Sequence, residues 1–540
     1  MGIGSVAVAV AVAGGVVWVG SQSEAAGPAA RVDRQKIARL LLDHGRGRFA
    51  TAAHLRALQA MAGELPGGAD GLVAERGPAG TARGTTAAPP RAGVANVRVN
   101  NPALDQRQTD QTTQSETSIA VVGQKVAVAY NDSQQTLLSL TNGSDLSGYG
   151  YSVDGGRTFT DGGTLPNLPN FANLGDPWLA SDRGGRMYYS TLALGGNVFN
   201  LEIGVSRSDD GGKTWTAPAL ASPNSDTLFY TGDKEAVTVG RDPVVASRDN
   251  VYAAWDDFVF DTSNGEAFQG LPVARSTDRG RTWSLTYADK IVSDPNSCSF
   301  TQYIGAQPLV DPANGTLYVA AEKIVVDDPT CEGGSAAFSE VIFKSTDGGT
   351  TFGPGVTISP VTSATPGGAL DLGSGKLVRT IEFPVLALHN GKLWAAWNDG
   401  RSGRSHILLA SSGNGGGTWS VAAVTSGTTD EIQPALAADR EGLHLAYYQR
   451  NGDDTLDLVA ADTQDGLHLV NRRITSRSFP GVVTVPQFDP IIAFGYMGDY
   501  ISVVSDGSTQ YFAWGDNRGR VTNFLHPTGR NDPDVFFARR

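Results

Sequence analysis

From Asn96 onwards the chain alternates short apolar runs with polar turns that are rich in glycine. Within the runs, large and small apolar residues follow one another, as in Val126-Ala127-Val128-Ala129-Tyr130. Apolar residues on both faces of an extended segment are typical of a β-strand in a sheet that packs between two others. The pattern therefore predicts an all-β domain over residues 96–540.

One polar turn recurs in the form S-x-D-x-G-x-T-[WF]. Its five copies are Ser152–Phe159, Ser208–Trp215, Ser276–Trp283, Ser345–Phe352 and Ser412–Trp419. The aspartate position, occupied by Asp154, Asp210, Asp278, Asp347 and, in the last copy, Asn414, can accept hydrogen bonds from backbone N–H groups of its own turn. The glycine supplies a positive φ, and the aromatic ring is buried beneath the turn. We interpret this motif as a structural fastener between two strands, without a catalytic role.

A second phrase repeats at intervals of roughly 50 to 75 residues, a length that fits four strands and their loops. It begins with an acidic or amide residue, continues as P-x-apolar-A and ends in a strand such as Leu393–Asp399. Seven copies predict seven four-stranded blades of a β-propeller, with six blades as the alternative. The C-terminal segment Asp534–Arg540 stops where another aspartate turn would begin. We therefore expect Asn96–Asn100 to supply the outer strand of the last blade.

The N-terminal part has a different composition. An apolar run, Ile3–Val19, is followed by small polar residues, which predicts a signal peptide over residues 1–25 and export from the cell, with an uncleaved membrane anchor as the alternative. Residues 26–95 first show helical spacing and then become rich in Ala, Gly, Pro and Thr. They are predicted to form a helical pro-segment and a flexible linker.

Composition limits the partners. The formal net charge of −13 argues against nucleic acid as the main partner. A monomer is expected, with membrane contact only if the N-terminal segment is uncleaved. The two cysteines, Cys298 and Cys331, would pair in an exported chain and would remain two thiols in a cytosolic one.

In a propeller, the residues that begin the innermost strands surround one mouth of the central channel. We call this set the mouth residues: Glu116, Asp176, Asp233, Lys234, Gln307, Glu382, Gln433 and Asp499. Crowding of carboxylates raises the pKa of one member, which suits a general acid, while an ionised partner can act as a base or nucleophile. Alternatively, these side chains bind backbone N–H groups and order water. A cation such as calcium, held by the same oxygens, is a further hypothesis; no other cofactor or metal is expected.

The S-x-D-x-G-x-T-W turns resemble the Asp-boxes of the sialidase-like propeller superfamily, over about residues 96–540. Asp-boxes also occur in xyloglucan-degrading glycosidases, sorting receptors and photosystem assembly factors. The phrases Gly498-Asp499-Tyr500 and W-x-D-x-R, at Trp397–Arg401 and Trp514–Arg518, are similar to exported bacterial proteins labelled sialidase-like. The R-I-P phrase that sialidases carry on their first blade does not occur in this sequence.

The resemblance implies a sugar site with three arginines, a tyrosine–glutamate nucleophile and an aspartate acid/base. On that basis Tyr500 is the match to the tyrosine. The catalytic candidates are Glu382, Asp499, Tyr500, Asp233, Asp176 and Glu116, and the substrate-binding candidates are Arg379, Arg401, Arg518, Lys234, Gln307 and Gln433. Because the mouth residues are mostly acidic, a carboxylate sugar would be repelled unless the three arginines turn towards it.

Two functions follow from these observations. The first is an exported glycosidase-like propeller that acts on extracellular glycans through its acidic mouth. The second is a propeller without catalysis that binds a glycan or an extracellular protein through its loops.

Overall fold

The computed structural model describes residues 34–44, 58–59, 61–62, 94–107, 112–135, 145–195, 200–364, 369–372, 377–453, 455–481, 498–524 and 526–540. Within these residues the protein is almost entirely β-sheet. The predicted signal segment, residues 1–25, and most of the predicted linker lie outside them. No helix in the described residues has the length and apolar character needed to cross a membrane.

The N-terminal half forms antiparallel groups of strands. After a short strand β1 (Val97–Arg98), the first sheet contains β2 (Gln114–Val122), β3 (Lys125–Asp132), β4 (Ser147–Ser152) and β5 (Thr160–Thr164). A nine-stranded sheet follows, with β6 (Phe171–Asn173), β7 (Trp178–Ser181), β8 (Met187–Gly195), β9 (Asn200–Ser208), β10 (Ala219–Leu220), β11 (Leu228–Arg241), β12 (Asp249–Asp261), β13 (Glu266–Ser276) and β14 (Ser284–Val292). A single parallel pair, Thr231 with Leu201, joins its two antiparallel groups, β6–β10 and β11–β14.

The C-terminal half continues in the same way. One sheet contains β15 (Phe300–Val310), β16 (Leu317–Asp327), β17 (Ser335–Ser345) and β18 (Val356–Val361), and a small hairpin pairs β19 (Ala369–Asp371) with β20 (Leu377–Arg379). The next sheets contain β21 (Val385–His389), β22 (Lys392–Asp399), β23 (His406–Ser412) and β24 (Ser420–Ala423), then β25 (Glu431–Ala438), β26 (Leu443–Arg450), β27 (Thr455–Thr463), β28 (Val470–Arg473) and β29 (Phe479–Pro480). The last sheet contains β30 (Ser502–Ser505), β31 (Gln510–Val521) and β32 (Arg530–Arg539), with β1 beside β32.

The N-terminal strand β1 completes the C-terminal sheet, which is the pairing that the sequence predicts. Val97 pairs with Phe537 and Arg98 with Phe536, in antiparallel register. The backbone N–H of Val99 donates to the carbonyl of Val535 at 2.9 Å. An otherwise open edge of β32 is therefore covered from the other end of the chain.

Neighbouring groups of strands pack face to face through apolar clusters. Trp394 and Ile407 from β22 and β23 meet Leu445 and Tyr447 from β26 in one of them. Equivalent clusters join β2–β4 to β7–β8, β8–β9 to β11–β13, β12–β13 to β15–β17, β16–β18 to β21–β23, β25–β27 to β30–β32, and β30–β32 back to β2–β3. Apolar faces on both sides of each group explain why alternating large and small residues fill these strands.

The aspartate turns lie between the third and fourth strands of their groups. In the first copy the Asp154 carboxylate accepts hydrogen bonds from the hydroxyls of Ser152 and Thr158, both at 2.7 Å, and from the backbone N–H of Arg157. These bonds hold the pKa of Asp154 well below its usual value. The Asp154 carboxylate is therefore hydrogen-bonded within its own turn, which agrees with a structural role for this motif.

Glycine is obligatory in this turn for a second reason besides its positive φ. Gly156 has φ of 81°, and a Cβ at that position would lie 2.3 Å from the Phe537 ring of the C-terminal sheet. The turn therefore packs closely against a neighbouring sheet.

A sixth turn of the same kind, which the motif misses, joins β27 to β28: Asp465 accepts from the hydroxyl of Thr463 and from the backbone of His468.

A short helix, α1 (Arg34–Asp43), packs onto the β domain. Its residues Ile37, Ala38 and Leu41 are buried in the cluster that contains Phe229 and Phe258 of β11 and β12. Beyond the helix, His44 Nδ1 donates to the carbonyl of Pro295 at 2.9 Å. A disulfide joins Cys298, just before β15, to Cys331 in the loop between β16 and β17, and so ties together the same end of the domain.

Candidate functional site

The first strands of several groups share a backbone irregularity near their starts. A β-bulge interrupts β2 between Ser115 and Ser118, β11 between Asp233 and Ala236, and β25 between Ile432 and Ala435. In each bulge a residue other than glycine adopts a left-handed conformation: Glu116 (φ 52°), Lys234 (φ 46°) and Gln433 (φ 51°), and Asp176 (φ 55°) does so just before β7. Such backbone strain costs on the order of 1–3 kcal/mol each and is often found at functional sites.

Hydrogen bonds between neighbouring groups hold these strained residues. Asn131, at the end of β3, donates from Nδ2 to Glu116 at 3.1 Å and accepts at Oδ1 from the backbone N–H of Asp176 at 2.8 Å. Asn398 accepts in the same way from the backbone of Gln433. The other oxygen of Glu116 accepts from the backbone N–H of Asp499 at 3.1 Å. Both oxygens of Glu116 are therefore engaged in positioning the start of the last sheet.

Residues from six first strands or their lead-in segments line one narrow recess. The lining residues are Trp178, Lys234, Gln307, Ile381, Phe383, Val385, Gln433, Pro434, Asp499, Tyr500 and Ile501. Four of the predicted mouth residues, Lys234, Gln307, Gln433 and Asp499, are among them. The recess combines aromatic faces with a few polar groups, which is the usual make-up of a small-molecule site.

Asp499 is the acidic residue of the recess. Its side chain is fully buried, and the Nε of Arg379 lies 3.0 Å from its Oδ1. Burial raises the pKa of Asp499 to about 7; the guanidinium of Arg379 opposes this shift and the charge of Glu116 adds to it. A carboxyl in this setting carries its proton over much of the range up to neutral pH.

Lys234 lies opposite the aromatic side chains. Its Nζ is 3.7 Å from the centroid of the Tyr500 ring, 4.8 Å from that of Trp178 and 5.4 Å from that of Phe383. The residue is only 1% exposed. Cation–π attraction to three rings offsets part of the cost of burying this ammonium group.

Tyr500 does not present its hydroxyl to the recess as a nucleophile would. The hydroxyl donates to the carbonyl of Pro177 at 3.0 Å, and the ring packs against Trp178 with a centroid distance of 5.4 Å. In this structure Tyr500 therefore provides an aromatic face for Lys234.

Glu382 faces a different environment. Its Oε1 accepts from the hydroxyl of Ser363 at 3.0 Å and from the backbone of Ala364, and it is not among the described residues that line the recess. Burial raises the pKa of Glu382 to about 7, while these hydrogen bonds oppose the shift. Two other buried carboxyls, Glu322 and Glu340, face each other across β16 and β17. Burial raises the pKa of both, and the charge of Glu382 adds to the shift.

Asp176 and Asp233 are fully buried beside the recess but do not line it. Asp233 Oδ1 accepts from the backbone N–H of Lys234 at 2.9 Å. A further carboxyl, Glu235, follows Lys234 in the same bulge, and burial together with the charge of Asp176 raises its pKa. The sequence does not single out Glu235, because it lies one position beyond the residue that matches the repeated phrase.

In each of the two W-x-D-x-R phrases, the aspartate binds the tryptophan and arginine side chains of the same phrase. Asp516 accepts from the indole of Trp514 at 3.0 Å and from the Nε of Arg518 at 2.8 Å. In the other copy, Asp399 accepts from Trp397 and from Arg401. Neither Arg401 nor Arg518 is among the described lining residues of the recess. Of the three arginines that the resemblance implies, Arg379 is the one that meets a lining residue.

The two glutamines differ in their role. Gln433 Nε2 donates to the carbonyl of Arg379 at 2.9 Å and to that of Gly498 at 2.6 Å, so it holds both segments that carry the Asp499–Arg379 pair. Gln307 lines the recess, but the left-handed residue in its bulge is Gly305 (φ 72°), two positions earlier. Gly305 therefore holds the place in its bulge that Glu116, Lys234 and Gln433 hold in theirs, and the repeated phrase places Gln307 two residues too late.

The described residues contain one group of three side chains with ligand atoms within 4.8 Å of one another, namely His44, Cys298 and Cys331. The two sulfurs of this group are joined in the disulfide. The carboxylates of the recess do not form such a group within the part of the chain that the structure describes, and a cation bound at the mouth stays a hypothesis.

No family model matches the chain, and no curated protein matches it. Solved structures do resemble it. They include Hadza microbial sialidase Hz136, with 16% identity, a TM-score of 0.37 and coverage of 73% of each chain. The α-L-arabinofuranosidase Arb93A from Fusarium graminearum has 11% identity and a TM-score of 0.42, over 83% of this chain and 98% of that one. Trypanosoma rangeli sialidase has 15% identity and a TM-score of 0.38, over 65% of this chain and 54% of that one. The structural neighbours are thus sialidases and an arabinofuranosidase, at low TM-scores.

Proposed function

We propose that the chain is an exported glycoside hydrolase that acts on glycans in the recess, with Asp499 as the general acid. The observation that carries this proposal is the environment of Asp499, a buried carboxyl that lines the recess and whose pKa is raised to about 7. A carboxyl that keeps its proton near neutral pH can donate it to a glycosidic oxygen.

Glycoside hydrolysis also needs a second, ionised carboxylate. Glu116 and Asp233 are the acids whose charges act most strongly on Asp499. Both oxygens of Glu116 are engaged by Asn131 and by the backbone of Asp499, and Asp233 lies beside the recess without lining it, so neither is assigned the second role. Glu116 and Gln433 then act as positioning residues, because they fix the backbone on either side of Asp499.

The architecture that we propose is a ring of seven four-stranded blades. Seven antiparallel groups of strands follow one another, and each shares an apolar cluster with the next, the last with the first. The convergence of six of their first strands on one recess supports a common axis. In such a ring, the recess lies at one mouth of the central channel.

A sialic acid substrate is disfavoured in this proposal. Recognition of a sugar carboxylate needs several cationic side chains around one site. Among these side chains, arginine is best suited to bind a carboxylate with two hydrogen bonds. Arg401 and Arg518 are instead paired with Asp399 and Asp516. The proposed substrate is therefore a glycan in the wider sense.

The first test is the Asp499→Asn variant on aryl glycosides with different leaving groups. A general acid matters most when the leaving phenol is a weak acid, so the variant should lose turnover of a phenyl glycoside by roughly a hundredfold or more. Turnover of the matching dinitrophenyl glycoside should fall much less, because dinitrophenolate leaves without a proton.

A matched control is Asp257→Asn. Burial raises the pKa of Asp257 to about 7 as well, although its hydrogen bond from Tyr287 opposes the shift, and the residue is not among those lining the recess. Its variant should retain wild-type kinetics with both leaving groups. Equal losses on the phenyl and dinitrophenyl glycosides in Asp499→Asn, or a matching loss in the control, would rule out the acid role.

A second candidate function is binding of a glycan without hydrolysis. The observation that favours it is the content of the recess, which is narrow and already holds the Lys234 ammonium against three aromatic rings. Retention of a glycan on an array, with no release of phenol from any aryl glycoside in the panel, is the result that this alternative predicts.

A further inference from the structure

The ammonium group of Lys234 has aromatic neighbours but no hydrogen-bond acceptor among the described residues. An ammonium carries three N–H donors, and the faces of aromatic rings attract its charge without replacing a full set of hydrogen bonds. Leaving a buried, charged donor without an acceptor is costly. A ligand that places an oxygen against Nζ therefore gains more binding free energy than it would gain from the same contact with an exposed lysine.

The direction of this side chain is set by the backbone. Lys234 occupies the left-handed position of the β11 bulge, and its backbone N–H is bound by the Asp233 carboxylate at 2.9 Å. The side chain then runs into the recess and ends over the Tyr500 ring at 3.7 Å. Because bulge and rings fix both ends of the side chain, Nζ is preorganised for a ligand.

A second unpartnered polar atom belongs to another residue that lines the recess, Gln433. Gln433 uses Nε2 to bind the carbonyls of Arg379 and Gly498, whereas its Oε1 has no hydrogen-bond partner among the described residues. One free donor, Lys234 Nζ, and one free acceptor, Gln433 Oε1, thus line a recess with an aromatic wall of Trp178. A hydroxyl group can both accept from the first and donate to the second.

The charge around Lys234 decides between a neutral and an anionic ligand. The acids around the recess are Glu116, Asp176, Asp233, Glu235, Asp256 and Asp499, against the cations Lys234 and Arg379. Arg379 is paired with Asp499 at 3.0 Å. Burial raises the pKa of Glu235, Asp256 and Asp499, which lowers their negative charge, so the ammonium is balanced mainly by Glu116, Asp176 and Asp233. An added carboxylate would still meet more carboxylates than cations.

We infer that Lys234 is the ligand-anchoring residue of the recess and that it donates to a hydroxyl or ring oxygen of an uncharged sugar, so that the recess selects against sugars that carry a carboxylate. The choice of a sugar as the ligand rests on the proposed function. The anchoring role and the charge preference rest on the contacts of Lys234.

The experiment measures binding, so that it does not depend on hydrolysis. The full chain is applied to a glycan array that carries neutral oligosaccharides beside the same backbones ending in uronic or sialic acid. The wild type is compared with Lys234→Met, which keeps the unbranched stem but lacks the ammonium, and with Lys234→Arg, which keeps the charge. The matched control is Lys290→Met, because Lys290 Nζ also lies 3.7 Å from the centroid of a ring, that of Phe268, but on a side chain that is 43% exposed.

Neutral glycans should be retained by the wild type and by Lys290→Met, and their retention should fall by about tenfold or more in Lys234→Met. Retention restricted to glycans with a carboxylate would overturn the charge preference. Equal retention by Lys234→Met, or no retention of any glycan by the wild type, would overturn the anchoring role. If Lys234→Met does not fold, Lys234→Arg decides the anchoring role, since the longer, planar guanidinium should also weaken binding.

These outcomes are separate from those of the proposed function. Retention of neutral glycans that depends on Lys234, without release of phenol from aryl glycosides, would leave the inference standing and contradict hydrolysis. Hydrolysis of acidic aryl glycosides in preference to neutral ones would uphold the enzyme and contradict the inference.

Discussion

Asp499 and Glu382 are buried carboxyls with similar pKa values but different neighbours. Asp499 lines the recess beside Arg379, whereas Glu382 is bound by Ser363 and by the backbone of Ala364. A raised pKa alone therefore does not identify a catalytic acid; the group must also face the space where a substrate binds.

This difference leads to a prediction for Glu382→Gln. Glutamine keeps the oxygen that accepts from Ser363 and Ala364, so the fold should be retained. Turnover of a phenyl glycoside should remain within about twofold of the wild type, because the side chain lies outside the recess. Steady-state kinetics of Glu382→Gln and Asp499→Asn, measured side by side, test this prediction. If Glu382→Gln loses as much turnover as Asp499→Asn, Glu382 takes part in catalysis and the prediction is wrong.

Asp516 illustrates a residue whose role is structural. It is fully buried and binds the indole of Trp514 and the guanidinium of Arg518. We expect Asp516→Ala to lower the free energy of unfolding by about 3–5 kcal/mol, because it leaves a largely buried arginine without its partner. Asp209→Ala is the control, since Asp209 is 56% exposed and its pair with Arg207 should contribute about 1 kcal/mol or less. Chemical denaturation of both variants would test this, and similar losses would contradict it.

Among the elements, strand β1 has an effect larger than its length suggests. It covers the edge of β32, and Val99, which follows it, is buried with Tyr511 and Phe537. We compare a chain that begins at residue 94 with one that begins at residue 106. The shorter chain should unfold at a temperature lower by about 5 °C or more, because only it lacks the edge strand and the buried valine. Both truncations lack α1, so the difference reports on β1 alone, and equal melting temperatures would show that the strand is dispensable.

The elements were predictable from the sequence to different degrees. The alternation of apolar residues and the five turns predict the strands, their β class and the pairing of β1 with β32. Lys234, Gln307, Gln433 and Asp499 were expected at one mouth, and they line one recess. The turn at Asp465 does not fit the motif because threonine and histidine replace its serine and threonine, and because it is one residue shorter, with Gly466 three positions after Thr463. Its hydrogen bonds are nevertheless of the same kind.

What the sequence could not give is the direction of side chains at the bulges. A shift of one residue moves a side chain to the opposite face of a strand. Glu235, in the bulge of β11, follows Lys234 without lining the recess. In the segment before β21, Phe383 lines the recess and its neighbour Glu382 does not. Bulges depend on the register of pairing with the next strand, which a repeated phrase does not encode.

For the whole molecule, the buried carboxyls predict how stability depends on pH. Burial is the largest cause of a pKa raised to about 7 in Asp132, Asp257, Glu382, Asp499 and Asp534. These groups bind their protons more tightly in the folded chain than in the unfolded chain. Their contribution to stability is therefore complete at low pH and is lost as the pH rises through about 7.

The melting temperature should accordingly fall between about pH 4, near the pKa of an unfolded carboxyl, and about pH 7, by a few degrees for each such group. The aspartates of the turns have lowered pKa values, so their contribution to stability has the opposite dependence on pH: it is lost as the pH falls. That loss takes place below the pH range in which the buried carboxyls act. Calorimetry at several pH values measures the slope. In the double variant Asp499→Asn with Glu382→Gln the slope should be shallower, which separates these two carboxyls from the effect of net charge. A melting temperature that is constant or rises with pH would contradict the assignment.

The pairing of β1 with β32 also has a consequence for synthesis. Residues 97 and 537 are partners, so this sheet cannot be completed until β32 has been synthesised. Until then, β2 and β3 lack the apolar face supplied by Tyr511 and Phe537. Contacts between such distant positions slow folding, and a partly made chain exposes strand edges that can aggregate. Until β32 has emerged, a nascent chain of this protein therefore exposes both the apolar face of β2 and β3 and an unpaired β1.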